Sequence, residues 1–261
     1  MLVPVVIGQQ LSMLKQNKLI KVYLDLVLTP TFVYSQLKDY DRGNIFLRER
    51  LDYEKLSEPS SLLSKIKKIL EIINIDLYDV VEPKFIFDND YYVFVPDSLY
   101  LKGKEKTFLK FNTSLESDDY ITADNIEKLN IYNVYLPYVN INNYLIDKFK
   151  KLEFYHYNTV LINKIININS SYMCHSFIEN SDLKILFVEN GEILFFNSFS
   201  YKSLDDILYY ILLAVKDKSL KDNDIPINIY ANKKIQEIKV KFNSFLKNVS
   251  VIEHDGFNQI L

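Results

Sequence analysis

The stretch that decides the fold is residues 172–199, which read YMCHSFI over Tyr172–Ile178, LKILFV over Leu183–Val188 and EILFFNSF over Glu192–Phe199. Each run is rich in β-branched and aromatic residues, and turn formers separate them: Glu179-Asn180-Ser181-Asp182, then Glu189-Asn190-Gly191. Asn-Gly between apolar runs signals a tight hairpin, because both residues accept the positive φ that such a turn requires. Three antiparallel strands are expected. Ser203 then caps a helix, with Asp206 at the capping-box position, and Leu204, Ile207, Leu208, Ile211, Leu212 and Val215 form its apolar stripe. Ile225–Tyr230 reads as a strand, Asn232 as the cap of a helix carrying Ile235, Ile238, Phe242, Phe245 and Leu246, and Val249–Glu253 as a last strand. The order is βββαβαβ. A meander followed by strands reached across helices gives a mixed sheet with helical cover, since parallel neighbours need crossovers of this length.

Working outward, the same opening recurs near the start. Val22, Leu24, Leu26 and Leu28 alternate onto one face, Thr29-Pro30-Thr31 breaks the run, and Phe32-Val33-Tyr34 begins a second strand. A third strand is expected around Asn44–Arg50. Ser57, with Pro59 in the first turn, opens a helix whose Leu62, Leu63, Ile66, Ile69, Leu70 and Ile73 make one stripe. Lys84–Val95 reads as a hairpin about Asp88-Asn89-Asp90. Between Pro96 and Asn130 the pattern is poor, with a strand expected at Phe108–Phe111. It recovers as a strand at Ile131–Val139, a helix over Asn142–Lys151, a strand at Leu152–Tyr157 and a helix over Thr159–Ile166. We therefore expect an α/β protein of two structurally similar βββαβαβ halves, residues 1–167 with an insertion and residues 168–261.

Composition narrows the chemistry. The 261 residues are 48% hydrophobic and 25% charged, the balance of a folded globular chain rather than a disordered or disulfide-framed one. A net charge of -3 supplies no drive toward phosphate backbones, so no nucleic acid is expected as partner. The basic clusters Lys65-Ile66-Lys67-Lys68, Lys148-Phe149-Lys150-Lys151 and Lys233-Lys234 adjoin apolar residues at helical spacing and read as solvated helix faces. A single cysteine, Cys174, excludes an internal disulfide and fits a reducing compartment. Leu2–Ile7 lacks a basic leading segment, and the apolar run Ile207–Val215 falls short of a bilayer span, so a cytoplasmic location without membrane insertion is expected. The Asn-x-Ser/Thr matches at Asn112, Asn169 and Asn248 are then chance. Asn, Ile, Lys, Tyr and Phe, whose codons are rich in adenine and thymine, are all abundant, which weakens any reading of aromatic stripes as base- or sugar-stacking platforms.

Local motifs are sparse. No Walker loop, dinucleotide fingerprint, nucleophile elbow or His-Glu-x-x-His occurs. Cys174 and His175 are adjacent on a strand, so they face opposite ways and cannot form a nucleophile pair or share an ion. Glu153 and His156 would meet only on a helix, and their segment reads as strand. His254, between Glu253 and Asp255, reads as a solvated tail. The acid pairs Asp88/Asp90, Asp118/Asp119 and Asp205/Asp206 suit turns and caps better than a magnesium site. The polar residues that gather beside a helix N-terminus are Asn197 and Ser198 at a strand end, with Asp205, Asp206, Tyr209 and Tyr210 on the next helix. They are the candidate cleft residues; their structural alternative is that Asp206 caps and the tyrosines fill the flank of the helix.

The run Ile131-Tyr132-Asn133-Val134-Tyr135-Leu136-Pro137, then Leu152-Glu153-Phe154 and the three-strand meander, resembles the actin-like proteins of type IV pilus assembly and type II secretion. The segment from Asn197 to Leu212, NSFSYKSLDDILYYIL, resembles an uncharacterised bacterial family of the actin-like ATPase fold. The resemblance implies two ribonuclease H-like halves. In that superfamily ATP is held by turns rich in Asp, Gly and Thr; here the corresponding turns would be Leu28-Thr29-Pro30-Thr31, Glu179-Asn180-Ser181-Asp182 and Ala231-Asn232. None contains glycine, although a phosphate needs backbone N–H groups at close range, and Pro30 removes one such donor. Thr29, Thr31, Ser181 and Asp182 then mark degenerate phosphate turns. The expectation is a non-catalytic protein with no cofactor and no metal, whose partner is another protein, by analogy a peptide of a membrane-associated assembly. The alternatives are an ATP-binding or ATP-hydrolysing actin-like protein and an enzyme with an unrecognised site.

Overall fold

A computed structural model describes residues 19–166, 172–190, 192–217, 225–231 and 233–253. Leu2–Ile7, Asn169, Gly191, Asn232, His254 and Asp255, singled out above, lie outside the described residues.

Strands β1 (Ile20–Leu28), β2 (Phe32–Asp39) and β3 (Ile45–Asp52) form an antiparallel meander, and β4 (Tyr78–Phe87) and β8 (Glu153–His156) complete a sheet of order β3-β2-β1-β4-β8. Strands β9 (Met173–Glu179), β10 (Asp182–Glu189) and β11 (Glu192–Ser200) repeat that meander. With β12 (Ile227–Ala231) and β13 (Val249–Glu253), both added parallel, they give the order β11-β10-β9-β12-β13. Position for position the two orders are the same. A third, antiparallel sheet, β5-β7-β6, comes from β5 (Tyr92–Pro96), β6 (Thr122–Ile126) and β7 (Ile131–Tyr135).

The chain divides into two compact units. One takes β1 up to Leu28, Phe32–Phe85 and Asn140–Phe154; the other takes Thr29–Thr31, Ile86–Val139 and the described chain from Tyr155 onward.

In the first unit, helix α1 (Pro59–Ile72) buries Leu62, Ile66, Ile69 and Leu70, the stripe expected from their spacing, and each fully buried aliphatic side chain contributes about 1.5–3 kcal/mol. The cap position is Glu58 rather than Ser57, without a side-chain cap bond, because Pro59 already supplies a first-turn residue that needs no N–H partner.

In the second unit, α5 (Leu204–Asp217) and α6 (Ile235–Asn243) cover one face of the meander, where Ile185 and Phe187 meet Ile207, Ile211, Ile238 and Phe242. Leu212 is 37% exposed and Ala214 takes its place inside, since Ile207, Ile211 and Ala214 follow the i, i+4, i+7 line and Leu212 lies off it. Phe245 is 63% exposed because α6 ends at Asn243, before that residue could join the stripe. Lys234 occupies the N-cap position of α6, with φ 57°.

Two further expectations are corrected. Lys84–Val95 is not a hairpin: Phe85, Ile86 and Phe87 end β4 inside the first sheet, while β5 pairs with β7 in the third. Asp88 and Asn89 form a buried bend between them rather than an exposed turn. Phe108–Phe111 is not a strand but overlaps a short helix, α2 (Glu105–Leu109), whose Leu109 joins Val95 and Val134 in a small core. Helices α3 (Val139–Phe149) and α4 (Tyr157–Ile166) flank β8, each starting two or three residues earlier than its apolar spacing suggests.

Candidate functional site

The β1–β2 turn is built from its own hydroxyls. Thr29 and Thr31 are both buried, and Thr29 Oγ1 accepts the Thr31 N–H at 3.2 Å. That is the local turn bond for which threonine is suited. Pro30 has no N–H to offer, so two of the three turn residues present no free backbone donor. Thr31 Oγ1 in turn accepts from Asn180 Nδ2 at 3.2 Å, which ties this turn to the one between β9 and β10. Asn180 sits there at φ 31°, and its Oδ1 accepts from Lys233 Nζ at 3.5 Å. Ser181 Oγ is buried without a hydrogen-bond partner, and Asp182 Oδ1 accepts from Ser200 Oγ at 3.3 Å. The turns Thr29–Thr31 and Asn180–Asp182 are thus brought together through the Asn180–Thr31 hydrogen bond. Of the third proposed turn, Ala231 is fully buried.

The candidate cleft residues are not all brought together. Along β11 they alternate: Ser198 is opposite Lys184, while Asn197 is opposite Ile185 on the face that α5 covers. Asn197 Oδ1 accepts the N–H of Ser198 at 2.9 Å. Asp206 closes the capping box with Ser203: its carboxylate accepts the N–H groups of Lys202 (2.8 Å) and Ser203 (2.9 Å), and its own N–H reaches Ser203 Oγ at 3.2 Å. Those backbone bonds hold the Asp206 carboxyl below its usual range. Asp205 pairs with Lys241 at 2.6 Å, Tyr210 stacks on Phe199 with 4.4 Å between centroids, and Tyr209 is 60% exposed. Ser198 therefore lies on the sheet face opposite to the four residues of α5.

On that opposite face the structure assembles a polar cluster that spacing does not reveal. Lys184 Nζ donates to Asp88 Oδ1 at 3.0 Å and to Ser198 Oγ at 3.4 Å, and lies 5.5 Å from the centre of the Tyr157 ring. Ser198 Oγ shares a 3.3 Å hydrogen bond with the Tyr92 hydroxyl. Both members of the ion pair are nearly buried, at 7% and 9% exposure. Burial works against the Lys184 ammonium, but the Asp88 carboxylate, through its charge and its hydrogen bond, outweighs it and holds the amine above its usual value. Burial also pushes the Asp88 carboxyl up, against the pull of Lys184.

Beside the pair, His156 is fully buried. Its Nδ1 accepts the Asn158 N–H at 3.2 Å, which leaves Nε2 to donate to the Asn89 carbonyl at 3.2 Å. Burial, with the Lys184 charge, pushes the imidazole down to about 3. Asp124 caps α4 from outside the helix: Oδ2 accepts the His156 N–H at 3.0 Å, and Oδ1 accepts the Tyr135 hydroxyl at 2.7 Å. Burial raises the Asp124 carboxyl, and burial with Asp124 raises the Tyr135 phenol. The signal that points to this cluster is Lys184 itself, the one charged residue inside the LKILFV run.

Cys174 belongs to the core under α5, where burial pushes its thiol up to about 12, while His175 on the other face bonds the Tyr230 hydroxyl through Nδ1 at 3.2 Å. Among the described residues no three His, Cys, Asp or Glu side chains are grouped to hold a metal ion. None of their helices is long and apolar enough to cross a membrane.

A family model described as "Protein of unknown function (DUF3822)" matches residues 14–249. The chain belongs to this family. No curated protein matches it. Among solved structures it is similar to a Bacteroides thetaiotaomicron protein described as having an actin-like ATPase fold and unknown function, with 14% identity over 91% of this chain and 92% of that one and a TM-score of 0.72. It is also similar to a chain of the PilM–PilN type IV pilus biogenesis complex, with 7% identity, 88% of each chain covered and a TM-score of 0.58. The ethanolamine utilization protein EutJ of Carboxydothermus hydrogenoformans aligns with 8% identity over 93% of this chain and 92% of its own, at a TM-score of 0.53. At these identities the likeness establishes the fold, and the fold of this family member is the actin-like ATPase fold.

Proposed function

We propose that this chain is a non-catalytic actin-like protein of the cytoplasm, one that works by binding another protein and whose nucleotide site has degenerated. The observation that carries the reading is the occupied pair of turns. Pro30 lacks a donor, the Thr31 N–H is spent on Thr29 Oγ1, and Asn180 Nδ2 bridges to Thr31 Oγ1 where a phosphate would need open main chain. The PilM–PilN structure, in which a protein of this fold is held in a complex, supports a protein partner, by analogy a peptide of a membrane-associated assembly. On this reading the two halves are residues 1–167 and 168–261, and the exposed ring of Tyr209 with neighbouring Asp205 is the first place to look for partner contact.

Thermal melting with and without magnesium ATP tests the degenerate site. A ligand at one hundred times its dissociation constant adds roughly 2.7 kcal/mol of stability. We expect no movement of the midpoint at millimolar ATP; a clear upward shift favours the ATP-binding alternative and removes the pseudo-enzyme reading. For partner binding, a specific protein retained by the native chain and released by Tyr209→Asp supports the contact surface, and equal retention by both overturns it.

A further inference from the structure

Helix α5 has two unlike faces. At about 100° per residue, Ile207, Ile211 and Ala214 lie together on the side that meets the meander, and directly opposite them Asp205, Tyr209, Leu212, Leu213 and Lys216 share one arc of about 100°. The exposures agree: Tyr209 is 60%, Leu213 45% and Leu212 37% exposed, while Ile207, Ile211 and Ala214 are buried. The Tyr209 ring meets Tyr210 edge-on with 5.5 Å between centroids, and Tyr210 is itself stacked on Phe199. Val240, the exposed apolar side chain of α6, has no such companions on its helix. Single apolar side chains scattered over a surface are ordinary, whereas three adjoining ones on a single arc form a stripe.

The stripe has one charge at each end. Asp205 begins it: Oδ1 pairs with Lys241, yet the side chain stays 80% exposed. Lys216 ends it, exposed and meeting no acid among the described residues. Asp206, the other acid of the first turn, is turned back onto the N–H groups of Lys202 and Ser203 and takes no part. At about 1.5 Å of rise per residue the two charges stand about 16 Å apart, with the apolar side chains between them.

We infer that this face of α5 seats a second copy of the chain, bound antiparallel about a twofold axis. The inference rests on the reading of Tyr209 and Asp205 as a contact surface, and it names the occupant. With the axis level with the midpoint between Tyr210 and Ile211, Asp205 stands against Lys216 of the second copy, Lys216 against its Asp205, and Tyr209 against its Leu212. Any other occupant must bring a base and an acid in the reverse order, at the same separation, around an apolar centre; the chain itself carries that pattern. A face about 21 Å long and about 10 Å wide is small beside the roughly 800 Å² per partner of a stable interface, so the dimer is weak and forms at high local concentration.

Sedimentation equilibrium of the full-length chain, from about 10 μM to about 1 mM, tests this. The native mass rises from one chain toward two across the range, and Leu213→Asp holds it at one. Asp205→Lys and Lys216→Asp each weaken dimerisation about tenfold, because the symmetry turns two attractive pairs into two repulsive ones. Mixing these two variants restores the dimer, since one then carries two bases and the other two acids. A cooperative thermal melt verifies that each variant is folded. A dimer indifferent to Leu213→Asp, or a mixture of the charge variants that dimerises no better than either alone, overturns the inference. A chain that stays monomeric over the whole range overturns it too: if Tyr209→Asp nevertheless releases a captured protein, the contact surface stands with a different occupant, and if capture is unchanged as well, both fall.

Discussion

The two five-stranded sheets share a strand order yet satisfy their buried charges in different ways. In the first, Asp25, Gln36 and Arg48 stand opposite one another on β1, β2 and β3. Gln36 Nε2 donates to Asp25 Oδ2 at 3.1 Å, Arg48 Nε donates to Gln36 Oε1 at 3.3 Å, and Lys38 reaches Asp25 at 2.6 Å while keeping 24% of its side chain exposed. Every partner is on a neighbouring strand of one meander. In the second sheet, Lys184 takes its counter-charge from Asp88, 96 residues earlier in the chain. A ladder of adjacent strands retains contact with solvent at its rim and tolerates the loss of a member; a closed pair does not.

The largest expected effect follows from that contrast. Asp88→Ala leaves the Lys184 ammonium buried and uncompensated, which costs about 3–5 kcal/mol in urea unfolding, whereas Lys184→Met/Asp88→Leu stays close to the native midpoint. If the double variant is as unstable as the single one, the pair does more than neutralise its own charges. A second effect is acid sensitivity. The folded value of His156 is about 3 and that of His175 about 4, both below the ordinary 6.5, and burial is the main cause in each. Above pH 6.5 both states are neutral and stability is complete; as pH falls from 6.5 toward these values only the unfolded chain takes up the protons, and stability falls by about 1.4 kcal/mol per pH unit for each histidine. Denaturant melts between pH 7 and 5, in native chain and His156→Gln, check the slope, which the variant should lessen. A smaller effect is expected for Asp25→Ala: Lys38 turns to water and Gln36 loses one bond, for a cost of about 1–2 kcal/mol. A cost equal to that of Asp88→Ala would erase the distinction between the two sheets. Ser203→Ala, which removes one half of the capping box of α5, is the smallest, at about 1 kcal/mol by thermal melting.

Much of the second meander was legible because its apolar runs end on turn formers, whereas the register shift against β11 between Phe187 and Val188 was not. The helices were legible where one stripe was buried, as in α1, and less so at their ends, where Leu212 and Phe245 read as core but are exposed. The β4–β5 hairpin was misread because Asp88-Asn89-Asp90 is a turn by composition, while its first two residues are bound to partners far along the chain: Asp88 to Lys184, and Asn89 to Leu136 and His156. Ser203 and Asp206 declared their cap through spacing alone. Ser198 was grouped with Asp205, Asp206, Tyr209 and Tyr210, and the sheet separates it from them.

By itself the sequence determined most of the strand and helix types, with Phe108–Phe111 the exception, together with the repeated meander, the absence of glycine from the candidate phosphate turns and the capping of α5, because periodicity, propensity and caps act over a few residues. Tertiary structure alone decided which strands share a sheet, that the β4–β5 bend is interior, and that Lys184, Asp88, Tyr92, Ser198 and His156 form one cluster. Those outcomes depend on contacts between residues tens of positions apart, and a buried charge selects its partner by proximity in the folded chain, which no local pattern encodes.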